Sequence, residues 1–325
     1  MRTLVLGGTI FVGRALTDAL LARGHEVVHF NRGRSGSADP RVQAITGDRE
    51  NEADLARLEG RWDAVIDTCG YLPQVVAKSV AALSQVPRYV FVSSISVYAG
   101  PSCDEDSALL EPPDPLPSER DPETYGGCKT GCERVVQAAF GPRATIVRPG
   151  LIVGPGDYTD RFTWWVARTA LGGAIAAPGR RERPIQCIDV RDLGAFLAHL
   201  ATHDVGGAYN ATGPRESLSM GEFLEACRTV SGSDARFHWI PEAALAAAKV
   251  APWSEMPLWL PEDDPIARLL RAPIDRALAA GVAFRPIEDT VRDTLAWERM
   301  RGADHTWKAG MARDREAMLL HEISA

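Results

Sequence analysis

Apolar and polar positions fall into two alternating patterns over the first half of the chain. Short runs rich in β-branched residues, at 3–6, 26–30, 42–46, 64–68, 89–92 and 145–147, read as strands. Between them, apolar residues recur at helical spacing over 12–23, 52–58, 74–83 and 125–140. Several of the strand runs are apolar throughout, as strands covered on both faces must be. Alternation of this kind predicts an α/β fold built on a doubly wound parallel sheet. After residue 149 the rhythm fades, and 220–230, 241–250, 274–280 and 289–300 read as helices with prolines and tryptophans between them. The pattern therefore predicts a sheet domain over 1–150 and a smaller C-terminal lobe over most of 151–325, with returns to the sheet near 185–189 and 208–211. Residues 103–121, rich in Pro, Asp, Glu and Ser, read as a long surface excursion.

The length of 325 residues fits this division, because a single hydrophobic core stops growing at about 250–300 residues. No apolar run approaches the roughly 20 residues of a membrane span. Gly7 and Gly8 interrupt the N-terminal apolar run too early for a secretory segment, so a cytoplasmic protein without a membrane partner is expected. A net charge of −7 argues against a nucleic-acid partner, which needs clustered positive charge. Six cysteines are too few for a disulfide scaffold in a chain this long and fit a reducing compartment. Cys128 and Cys132 share a helix face, but no second Cys/His pair accompanies them, and no metal is expected.

Two segments carry candidate chemistry. The first strand runs directly into Gly7-Gly8-Thr9-Ile10-Phe11-Val12-Gly13 and then a helix. Glycine lets backbone approach a pyrophosphate, and a helix start offers free N–H groups and the positive end of its dipole. At the end of the second strand no acid stands ready to bind an adenosine ribose; Asn31, Arg32 and Arg34 occupy the place. Guanidinium groups there suit a 2′-phosphate, which favours NADP(H) over NAD(H). The second segment is Tyr125-Gly126-Gly127-Cys128-Lys129, in a chain with only four lysines. One helical turn places Tyr125 and Lys129 on one face, where the ammonium can lower the phenol's pKa and fit it for general acid/base work.

These features together resemble the extended short-chain dehydrogenase/reductase superfamily, including its NAD-dependent epimerases and dehydratases, over about residues 2–154. The glycine turn resembles that family's Gly-x-x-Gly-x-x-Gly loop, with Ile10 in place of the middle glycine. The run Phe91-Val92-Ser93-Ser94-Ile95-Ser96-Val97-Tyr98 resembles its Ser-Ser-x-x-Val-Tyr segment, and Arg148-Pro149-Gly150-Leu151-Ile152-Val153-Gly154-Pro155-Gly156 its turn after the sixth strand. The resemblance implies a Rossmann domain at 1–150 with a substrate-binding C-terminal lobe, and a Ser94, Tyr125, Lys129 catalytic set. It also implies that Asp48, Arg49, Cys69, Gly70, Ser93, Pro149 and Leu151 line the dinucleotide, and that the protein is a homodimer. For a small organic or sugar-like substrate, Tyr71, Ser96, Asp160, Arg161, Phe162, Trp253 and Trp259 form an aromatic set of mixed polarity. The leading expectation is hydride transfer between nicotinamide and a carbonyl or alcohol. A redox-neutral sugar epimerase or dehydratase with tightly held NAD(P) uses the same residues and stays open, as does a nucleotide- or RNA-associated binding protein.

Overall fold

The computed structural model describes residues 1–203, 205–302 and 304–324. The chain forms two compact units, the first made of Met1–Gly150, Val190–Thr212 and Ala272–Ala283 and the second of Leu151–Asp189, Gly213–Arg271 and Phe284–Ala325.

Unit 1 carries the strands β1 (Arg2–Leu6), β2 (Glu26–Asn31), β3 (Gln43–Thr46), β4 (Ala64–Asp67), β5 (Tyr89–Val92) and β6 (Ala144–Pro149). Unit 2 contributes β7 (Leu151–Val153), β8 (Ala174–Pro178), β9 (Pro184–Ile185) and β10 (Cys187–Asp189). Then β11 (Gly207–Ala211) returns to unit 1, and β12 (Leu218–Ser219) and β13 (Arg236–Ile240) complete unit 2. In unit 1 the strands form one parallel seven-stranded sheet in the order β11-β6-β5-β4-β1-β2-β3. Every residue of β4 and β5 is buried, the apolar ones as strands covered on both faces require and Asp67 at the end of β4 with its carboxylate paired to Arg49. The order reverses between β1 and β4. The loops leaving these two strands diverge at the carboxyl edge of the sheet, opening the crevice where doubly wound folds bind ligands.

Helices cover both faces of the sheet. On one side α1 (Phe11–Ala22) meets α6 (Val190–Thr202) so closely that a Cβ on Gly194 would lie 2.7 Å from the Ala15 backbone. On the other lie α2 (Glu52–Ala56), α3 (Pro73–Ala82) and α4 (Tyr125–Phe140), with Gly131 of α4 in contact with Pro73. Unit 1 also holds α9 (Asp275–Ala279).

Unit 2 packs α5 (Thr163–Ala170), α7 (Met220–Ser231), α8 (Glu242–Ala247), α10 (Ile287–Met300) and α11 (Arg313–Ser324) around three two-stranded sheets. One expectation is corrected here. The chain near 208–211 does return to the large sheet as β11, but 185–189 does not: β10 pairs with β7, Cys187 opposite Leu151 and Asp189 opposite Val153. The chain leaves the main sheet at Gly150, and β7 needs a new partner for its backbone groups, which β10 supplies. The Asp189 carboxylate then ties this pair to α10, accepting from Thr290 Oγ1 at 2.8 Å with Arg285 Nε at 3.6 Å.

Candidate active site

The glycine turn has the close backbone contacts that its sequence demands. Gly7 and Gly8 have φ of 108° and 98°, which side chains strain to adopt. A Cβ on Gly13 would lie 2.5 Å from the Gly8 Cα, and one on Gly8 would lie 2.7 Å from the His29 ring. No side chain caps the start of α1, where Ile10 is the N-cap, and its first turn carries no acid. The turn thus keeps an uncapped, positively polarised helix start beside bare backbone, a cradle that fits a pyrophosphate. Ile10 does not fill it: the side chain is 47% exposed and turns toward Gly36.

His29 floors the turn, a role that the sequence analysis missed. Thr17 Oγ1 donates to Gly13 O at 2.7 Å and lies 2.8 Å from His29 Nε2, so the ring donates to Thr17 as the neutral Nε2–H tautomer. Burial lowers the His29 pKa and favours that neutral form. Asn31 serves the turn rather than presenting its amide outward: Nδ2 donates to Gly7 O at 3.0 Å and Oδ1 accepts from Gly33 N at 2.9 Å. Arg32 and Arg34 are exposed, and no hydrogen bond or ion pair holds either among the described residues.

Beyond β3 the structure changes the reading of Arg49. Its guanidinium forms a two-pronged pair with the buried Asp67 (Nη1 to Oδ1 2.9 Å, Nη2 to Oδ2 2.7 Å), while Nε donates to Ser79 Oγ at 3.0 Å. Tyr89 Oη adds a donor to Asp67 at 3.0 Å, and Cys69 N donates to Asp67 Oδ1 at 3.1 Å. Arg49 is therefore committed to anchoring the Cys69-Gly70-Tyr71 turn. Its charge is balanced within the protein, and a direct dinucleotide contact is no longer its role. Asp48 keeps a partly exposed carboxylate, with Oδ1 accepting from Glu50 N at 3.1 Å.

Lys129 is buried on α4. Its Nζ donates to Gly70 O at 2.7 Å and Val92 O at 2.6 Å, joining the turn after β4 to the end of β5. Desolvation lowers its pKa to about 8, against the upward pull of nearby acids including Asp67 and Glu133. The Ser94 hydroxyl sits at the β5 end, where it donates to Ser96 Oγ and accepts from Ser96 N, each at 3.1 Å. A Cβ on Gly126 would lie 2.3 Å from Ser96 O, so the first turn of α4 rests directly on this turn and brings Tyr125 beside it. Ser93 faces the other way, donating to the buried Glu133.

Glu133 continues the Tyr125, Lys129 face by one more turn. It forms a buried pair with Arg148 (Nη2 to Oε2 2.7 Å, Nε to Oε1 3.0 Å). Arg148 Nη1 meets Tyr98 Oη at 3.0 Å, and Tyr98 donates to Asn210 Oδ1 at 2.6 Å. This network fixes the Arg148 end of β6 against α4, Tyr98 and β11. The helical spacing from Lys129 to Glu133 was the available signal in the sequence; the partner was not.

In unit 2 the substrate expectations separate. Asp160, fully buried, accepts from Arg301 Nη1 at 2.6 Å, His305 Nε2 at 2.9 Å and Lys308 N at 3.0 Å. Phe162 packs on Phe223 in the core, ring centres 4.8 Å apart and planes tilted by 34°, and Trp259 is 3% exposed in the same core. These three are packing and clasp residues, since none presents a polar edge or an open ring face to a ligand. Arg161 and Trp253 are half-buried, the guanidinium 5.7 Å from the ring centre. Leu151 lies in β7.

A family model described as NAD(P)H-binding matches residues 7–165. The epimerase family protein SDR39U1 of Bos taurus is 31% identical over 276 residues, 76% of this chain and 86% of that one. The chloroplast stem-loop binding protein of 41 kDa b of Arabidopsis thaliana is 28% identical, covering 71% of this chain. The 2′-dehydrokanamycin reductase of Streptomyces kanamyceticus is 30% identical, covering 63% of it. This chain spans 63% and 59% of those two proteins, respectively. Among solved structures, the UDP-glucuronic acid 4-epimerase of Bacillus cereus in complex with NAD superposes with a TM-score of 0.66 at 16% identity, over 92% of this chain and 99% of that one.

Proposed function

Because the chain belongs to the extended short-chain dehydrogenase/reductase superfamily, we propose that it is a nicotinamide-dependent oxidoreductase acting on a carbonyl or alcohol of a small organic or sugar-like substrate. The observation that carries this reading is the buried Lys129, held between Gly70 O and Val92 O one helical turn from Tyr125, with Ser94 at the adjoining strand end.

In this reading the turn from Gly7 to Gly13 and the start of α1 hold the pyrophosphate. Arg32 and Arg34 pair with a 2′-phosphate and favour NADP(H). When bound, the nicotinamide supplies or accepts the hydride. Ser94 donates to the substrate oxygen and orients it. Tyr125 gives or takes the proton at that oxygen. The Lys129 ammonium, with two N–H groups spent on carbonyls, keeps the remaining one for a ribose hydroxyl while its charge stabilises the phenolate. Tyr71 and Ser96 are the proposed substrate contacts in unit 1.

The name of the bovine relative favours a second reading, a redox-neutral epimerase with the cofactor held tightly. Mixing purified protein with NADPH and a panel of carbonyl compounds separates the two. Loss of nicotinamide absorbance in step with product supports the oxidoreductase. Inversion of a substrate stereocentre with no net change in nicotinamide supports the epimerase. Failure to bind any nicotinamide dinucleotide overturns both and leaves a binding protein.

A further inference from the structure

The charges around Lys129 do not balance. Its two buried acidic neighbours are each spent on an arginine, Asp67 on Arg49 and Glu133 on Arg148. A second cation stands close by. Arg120, on the excursion between η-turn Ile95–Val97 and α4, lays its guanidinium over the Tyr71 ring with Cζ 3.5 Å from the ring centre, while Lys129 Nζ is 5.2 Å from the same centre. Glu119 and Asp121 flank Arg120 in sequence, yet it forms no hydrogen bond or ion pair among the described residues. Asp121 instead turns its carboxylate to Glu123 N at 3.0 Å. The excursion is pinned where it passes α3, Gln74 Nε2 donating to Pro117 O at 2.8 Å.

Stacking on an aromatic face leaves every N–H of a guanidinium free in its own plane, oriented for a planar or tetrahedral oxyanion. Two cations without carboxylate partners on one tyrosine make a local surplus of positive charge in a protein whose net charge is negative. We propose that Arg120, stacked on Tyr71, is a specificity-determining residue that binds an oxyanion, carboxylate or phosphate, on the substrate, and that the substrate is therefore anionic. This rests on the oxidoreductase reading of Ser94, Tyr125 and Lys129.

The test uses the full chain saturated with NADP+, so that the dinucleotide's own phosphate sites are filled, and titrates inorganic phosphate and malonate by calorimetry. One of the two probes should bind with a single site per chain. Arg120→Ala should weaken it by about tenfold or more, the loss of a charge-assisted contact, and Arg120→Lys should recover part. NADP+ affinity should not change in either variant. Preference for malonate assigns a carboxylate and preference for phosphate a phosphoryl group, and either supports the proposal. No probe binding to the NADP+ complex, or equal binding by Arg120→Ala, overturns it while leaving the catalytic reading intact. Absence of binding by both NADP+ and NAD+ would instead remove the catalytic reading.

Discussion

Replacing Lys129 with Met tests whether the buried ammonium has the cost that its surroundings impose. Moving a lysine from its ordinary 10.5 to about 8 means that the folded protein disfavours the charged form by about 3 kcal/mol. Methionine removes that penalty but strands Gly70 O and Val92 O, at about 1–1.5 kcal/mol each. The two effects nearly cancel, so at pH 7 the variant should fold with stability within about 1 kcal/mol of the parent. The pH dependence should not cancel. Above the folded pKa of about 8 and below the unfolded 10.5, the unfolded chain binds a proton at Lys129 that the folded chain has lost. Stability conferred at this site therefore rises with pH across that window and falls away as pH drops through 8. Urea unfolding at pH 7 and pH 9.5 should show the parent gaining about 2 kcal/mol relative to Lys129→Met, other titrating groups being common to both. Parallel pH curves would refute the depressed pKa and with it the desolvated position of the ammonium.

Arg32→Asp should reverse a preference for NADPH over NADH, since one charge-assisted contact to a 2′-phosphate contributes about 1.5–3 kcal/mol; equal affinities in the unmodified protein, read by fluorescence titration, would remove the premise. Glu133→Ala leaves Arg148 charged and buried without its partner, and urea unfolding should record a loss of about 3–5 kcal/mol; a loss below about 1 kcal/mol would mean that the pair adds little. Trp259→Ala should cost about 3–5 kcal/mol as a core truncation, and Trp253→Ala clearly less; equal falls in stability would contradict their different burial.

How much of this was legible follows from how local each signal is. The helix from Tyr125 to Phe140 is readable to the residue, because its periodicity starts just after a Pro- and Asp-rich stretch and ends at glycine. The central strands of the parallel sheet are legible because burial on both faces forces mostly apolar runs. The glycine turn is legible because the backbone approach it makes admits no Cβ. Pairing across the fold is not legible in the same way. Nothing near Arg49 in sequence announces Asp67 or Ser79, and β10 carries no mark to say that it joins β7. Unit 2 turns at several residues other than glycine: Asp160, Trp253 and Leu258 have φ of 64°, 62° and 65°. With non-glycine residues in the left-handed region, side-chain direction departs from any simple alternation. Asp160, Phe162 and Trp259 consequently point inward although their types suit a binding surface.

The central claim is that Tyr125 moves the proton at the substrate oxygen, and Tyr125→Phe tests it most directly because the ring remains and only the hydroxyl goes. The measurement is cofactor Kd together with kcat on the first carbonyl compound found to be turned over, beside Ser94→Ala as a variant that should lose turnover to a lesser degree. The account predicts unchanged NADP+ affinity and a fall in kcat of about 10²–10⁴-fold or more for Tyr125→Phe. Turnover by Tyr125→Phe near that of the unmodified protein would contradict it.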